Sequence, residues 1–166
     1  MPVTILTDIA VERIRTAAGS GSQVAISHVA LGDGLGTNYD PSYGQTALRR
    51  ELARKPIERR YAHGDDSWRI KAEFAADTPA FMVREIGFFA PTGELIAIFA
   101  GTDIDPRQTG VITYLIDHTL TFSRAQSGVI IVDAPDDELF DFAAASLAAQ
   151  ASQSHIIFNL IKDLRP

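Results

Sequence analysis

Three features of this sequence predict an α+β fold: two runs of alternating apolar and polar residues, an apolar hairpin closed by Pro-Thr-Gly, and apolar positions at helical spacing near the start. The expected architecture has an N-terminal helix, a short second helix, a mainly antiparallel β-sheet and a C-terminal helical segment.

In chain order, Thr7 can cap a helix in which Ile9, Ala10, Ile14 and Ala17 recur at helical spacing, and Gly19 is placed to end it. Ser20-Gly21-Ser22 turns the chain into a strand-like stretch from Gln23 to Leu31. A glycine- and asparagine-containing loop follows, then a short helix expected around Gln45 to Arg54 and terminated by Pro56. Ile57 to Tyr61 reads as a strand and Ala62 to Ser67 as turn chemistry. Trp68, Ile70, Ala72 and Phe74 alternate with Arg69, Lys71 and Glu73, the pattern of a strand with one buried and one wet face.

Between Phe81 and Phe89, alternation puts Met82, Ile86 and Phe88 on one face and Val83 and Phe89 on the other, with Arg84 and Glu85 adjacent in the middle. Both faces are therefore largely apolar. Pro91-Thr92-Gly93 supplies the turn, and Glu94 to Ala100 is expected to fold back antiparallel. Thr102 to Gly110 is a polar connector into the longest alternating run, in which Ile112, Tyr114, Ile116, His118, Leu120 and Phe122 share a face. Ser127-Gly128 introduces a last short strand, Val129 to Val132. No internal repeat of solenoid length is present.

Composition changes at Pro135, which divides the sequence into a domain over 1–134 and an extension over 135–166. Asp136, Asp137 and Glu138 suit a helix N-terminus, and Phe140, Ala144, Leu147 and Ala151 begin a narrow seam at alternating spacings of four and three. That seam suits packing on the chain's own core or an intersubunit bundle, so these four residues form a candidate oligomer interface.

With 166 residues and 46% hydrophobic content, the chain is long and apolar enough for a real core. No apolar run approaches the roughly 20 residues that span a bilayer, and the first residues lack a basic start to a leader, so a soluble, unsecreted chain without membrane insertion is expected. Zero cysteines exclude disulfides, thiolate metal sites and cysteine nucleophiles. A net charge of −6 disfavours nonspecific binding of nucleic acid. The local exception is Arg49, Arg50, Arg54, Lys55, Arg59 and Arg60, a run suited to a solvated face, an acidic protein partner or nucleic acid.

Residues that invite a chemical reading do so weakly. Gly32, Gly34 and Gly36 follow a strand, but Thr37 stands where a dinucleotide fingerprint wants its third glycine, and the next helix is expected too late to present its amides to a phosphate. Asp33, Asn38 and Asp40 carry oxygens at a spacing that fits no EF-hand; Asx turns explain them better. His28, His63, His118 and His155 are scattered, with His118 on the apolar face of its strand. No nucleophile elbow is present, and Asp65-Asp66 and Asp136-Asp137 fall in a turn and at a helix start. No cofactor, metal or catalysis is expected. Arg84 and Glu85 point to opposite faces, so each is expected to pin a different neighbouring segment within the chain or across a subunit contact.

Two ordered segments, "VALGDGLG…QTALRREL" and "VREIGFFAPTGELIA", together resemble the phage tail-collar fibre family, the N-terminal attachment domain of tail fibres in contractile-tailed phages and related particles. The leading TILTDIAVERI, Thr4 to Ile14, resembles that family's opening helix, so the likeness spans roughly residues 3 to 134. The motif positions are Gly32, Asp33, Gly34, Gly36, Arg84, Glu85, Gly87 and Gly93. The resemblance implies a non-enzymatic homotrimer located in the virion, made in the bacterial host cytoplasm, that anchors a fibre or collar element to baseplate proteins. Without shaft repeats before Pro166, an adaptor for a separate fibre or a shortened fibre is expected, with no binding of host cells or polysaccharide by the isolated protein. The competing reading is a carbohydrate- or receptor-binding module in which Trp68, Tyr39, Tyr43 and Tyr61 stack on a ligand.

Overall fold

A computed structural model describes residues 3–64, 67–121 and 129–138 and the single residues 143 and 146. The chain divides into two compact units, residues 1–135 and 136–166. The first begins with strand β1 (Val3–Leu6) and helix α1 (Asp8–Ser20), then β2 (Val24–Ile26), β3 (His28–Gly32) and a single 3-10 turn at Gly34–Gly36. It continues through β4 (Glu51–Pro56), β5 (Arg59–Gly64), β6 (Ser67–Phe74), β7 (Met82–Val83), β8 (Glu85–Phe89), β9 (Leu95–Ala100), β10 (Arg107–Gln108), β11 (Tyr114–Thr121) and β12 (Ile130–Val132).

The largest sheet is antiparallel, in the order β1-β9-β8-β3-β4. A second antiparallel sheet runs β11-β6-β5, and two small pairs join β7 to β10 and, in parallel, β2 to β12. One face of the large sheet contributes Val29, Leu31, Ile86 and Phe88 to the main core, which they share with Ala10, Ile14 and Ala17 of α1 and with Ile70, Ala72, Ile116 and Leu120 of the second sheet. The opposite face contributes Ala30, Phe89, Leu95, Ile98 and Ala100, covered by Tyr39 and Leu48 from the long β3–β4 connection. Burial on both faces explains why β8 and β9 are apolar nearly throughout; each fully buried Phe or Leu contributes about 1.5–3 kcal/mol.

Helix α1 starts at Thr7, whose Oγ1 accepts from Ala10 N at 3.2 Å and donates to the Leu95 carbonyl at 2.7 Å. It runs past Gly19 and stops at Gly21, whose positive φ of 68° lets its N–H reach the Ala17 carbonyl. The Pro-Thr-Gly hairpin forms as its residue order demands: Gly93 N donates to Ala90 O at 2.9 Å, with Gly93 at a φ of 90°.

Several expectations are corrected. The molecule is mostly β-sheet rather than α+β, with one α-helix and one 3-10 turn among the described residues. The opening stretch begins as a strand, β1, before α1. The second helix expected over Gln45 to Arg54 is absent: the chain is irregular to Arg50 and then extended as β4, pairing Ala53 with Leu31 of β3. The amides of Arg49 and Arg50, which a helix would turn inward, instead donate to the Glu85 carboxylate, a partner 35 and more residues away. Gln23 to Leu31 is two strands that part at Ser27, since β2 pairs with β12 while β3 enters the large sheet. A break at Arg84 rotates the register, so Val83 joins Ile86 and Phe88 in the main core and not Phe89. Past Pro135 the described residues complete no helical element, although Glu138, Ala143 and Ser146 are helical; Phe140, Ala144, Leu147 and Ala151 lie outside the described residues.

Candidate functional site

The two motifs that stand fifty residues apart in sequence meet at one carboxylate. Glu85 opens β8 opposite Gly32 of β3 and is fully buried. Such a charge is tolerated in a core only when its lone pairs are taken up. Here Oε1 accepts from the backbone N–H of Gly34 at 3.2 Å and of Arg50 at 2.9 Å. Oε2 accepts from the N–H of Arg49 at 3.0 Å and, in a short bond, from the Tyr39 hydroxyl. The carboxylate thereby ties both ends of the glycine loop and the start of β4 to the central sheet.

Gly32 is required by that approach: a Cβ there would lie 2.5 Å from both the Arg50 carbonyl and Glu85 Oε1. The Tyr39 oxygen also accepts from Gln45 Nε2 at 3.0 Å. Burial, reinforced by the neighbouring Glu85, pushes the Tyr39 phenol above its ordinary value, so it stays a donor. Asp33 completes the loop with a bidentate pair to the Arg50 guanidinium and a bond from Leu35 N at 3.1 Å. The Arg50 bond holds the Asp33 carboxyl below its usual range. Gly34, Leu35 and Gly36 all take positive φ, at 60°, 58° and 80°. Leu35 is the one non-glycine with positive φ among the described residues, and its side chain is 60% exposed.

The remaining motif residues sit around this latch. Gly87 lies behind it, packed close to Phe89 and Leu48; Gly93 is in the hairpin turn. Arg84 is half-buried, its backbone N–H donating to Gly32 O at 2.9 Å. The basic run is largely absorbed locally: Arg49 lies over the Tyr39 ring at 3.5 Å, Arg54 pairs with Glu51 and covers Phe89, and Lys55 pairs with Glu58. Arg59 donates to Glu58 O, and Arg60 to Val132 O.

The sequence marked Glu85 and the glycines but missed Tyr39, Gln45 and the two arginine amides. A glutamate inside an apolar strand signals that donors must come from somewhere, yet these donors sit on an irregular connection without periodicity.

Other candidates resolve into structural contacts. Asp40 accepts from Thr102 N, and Asn38 Nδ2 donates to the carbonyls of Thr102 and Ile104. His118 Nε2 lies 2.9 Å from Thr4 Oγ1, with the ring stacked on Phe88 and edge-on to Phe99. Of the aromatic set, Tyr39 is buried, Trp68 is half-buried with its indole N–H on the Ile130 carbonyl, and Tyr43 is exposed. Among the described residues, no group of His, Asp and Glu is placed to hold a metal ion, and no helix is long and apolar enough to cross a membrane.

No curated protein and no solved structure matches the chain. The family model for the phage tail-collar fibre protein, N-terminal, matches residues 1–126, which contain both motifs and the carboxylate that joins them. The chain therefore belongs to the phage tail-collar fibre family, and with it to the structural proteins of phage tails.

Proposed function

We propose that the chain is a non-enzymatic anchor that docks a tail fibre or collar element onto the baseplate of a phage tail or tail-like particle, working as a homotrimer. The observation that carries this reading is the Glu85 latch. Its acceptor positions are all engaged by the chain's own donors, so it offers a rigid surface and no reactive group. The product of that rigidity is the loop tip, where Leu35 is held in a left-handed conformation and presents an apolar side chain to solvent. Strain stored beside exposed apolar surface is characteristic of a binding position, and a docking interface needs at least roughly 1,000 Å² of such complementary surface.

The test is biolayer interferometry of the purified full chain against each baseplate protein of the same particle. Saturable binding to one of them is expected, weakened about tenfold or more by Leu35→Asn. Asparagine tolerates the left-handed backbone, so this change removes the apolar contact without unfolding the loop. A well-folded chain that binds none of these proteins overturns the anchor.

A further inference from the structure

The three-stranded sheet ends on β11, whose second edge has no partner strand among the described residues. Five consecutive residues, Tyr114 to His118, line a cleft of about 300 Å³ floored by Val83, Phe99 and Ile104. Neighbours on a strand point to opposite faces, so five in succession share one cleft only where it follows the strand's edge, the side on which backbone N–H and C=O groups await a partner. Leu115 of this lining is 63% exposed, and Val111 at 68% and Ile112 at 70% lie just before β11 in the chain; these are the three most exposed large apolar side chains among the described residues. Single exposed apolar residues are ordinary, but three within five positions at an edge strand that has no second partner among the described residues make an adhesive strip.

The rim identifies the occupant. Asp105 and Arg107 stand two residues apart on the cleft, and neither enters an ion pair among the described residues. A surface carrying an apolar strip, an open backbone edge and one charge of each sign complements itself, because a symmetric contact brings each residue to a different one on the neighbouring copy. We propose that a second copy of this chain adds an extended stretch to the free edge of β11. Its 111–115 strip covers the cleft, and Asp105 of one copy pairs with Arg107 of the next. The stoichiometry rests on the homotrimer reading above; the surface does not.

Light scattering of the full chain at tens of micromolar tests this. A trimer is expected, with Leu115→Glu weakening association about tenfold or more. Asp105→Arg and Arg107→Asp should each weaken it, and the double reversal should restore it. Circular dichroism melts of each variant separate loss of assembly from loss of fold. A wild-type trimer indifferent to Leu115→Glu and to both single reversals overturns this surface and leaves the anchor reading standing. A dimer that Leu115→Glu dissociates supports the surface and overturns the threefold assembly. A monomeric wild type overturns both.

Discussion

Glu85 shows what one buried charge demands of its neighbours. Its oxygens are shared among three backbone amides and a phenol, so the residue is stabilising only as long as every donor faces an acceptor. Glu85→Gln keeps the shape and turns one oxygen into an NH₂ group, which must then face donors. Loss of charge-assisted bonds and the stranding of buried N–H groups predict a destabilisation of about 3 kcal/mol or more. The denaturant midpoint measures it, and amide hydrogen exchange at Gly34, Arg49 and Arg50 should accelerate more than exchange in β11. Asp33 acts beside it, and its pKa is depressed in the folded chain chiefly by the Arg50 hydrogen bond. Its contribution is therefore present above the ordinary aspartate range and lost as pH falls through the depressed folded value.

Thr7 joins two elements through one hydroxyl, capping α1 while donating to the Leu95 carbonyl of β9. Thr7→Ala should cost about 1–2 kcal/mol, since it removes the cap and leaves a buried carbonyl without that donor; chemical denaturation of the two proteins gives the difference. The β8–β9 hairpin and α1 were legible because their signals are local: a turn that requires Pro-Thr-Gly order, and apolar residues recurring at helical spacing on one helix face. The stretch from Gln45 to Arg54 was not, because its helical propensity is a few tenths of a kcal/mol per residue and the Glu85 carboxylate offers its amides far more. In the same way, Arg84 interrupts a run whose alternation is regular on paper, and Val83 crosses to the main core.

Across the molecule, His118 couples the two large sheets, reaching Thr4 of β1 while its ring packs on Phe88 and Phe99 of β8 and β9. Burial lowers its pKa against a smaller opposing pull from Asp117. The unfolded chain thus takes up more protons than the folded one as pH falls below about 6.5, and stability is fully present above that value and declines beneath it. His118→Phe should flatten the pH dependence of the melting temperature in this window while leaving the aromatic packing, whereas an unchanged slope would assign the effect to other groups. Sequence by itself determined the N-terminal helix, the hairpin, the alternating strands β6 and β11, and the family, because each rests on order within a short window. Tertiary structure decided what replaced the second helix, which residues feed Glu85 and that β11 ends its sheet among the described residues. Those outcomes depend on donors and acceptors brought together from distant parts of the chain, and no local pattern records which partner arrives.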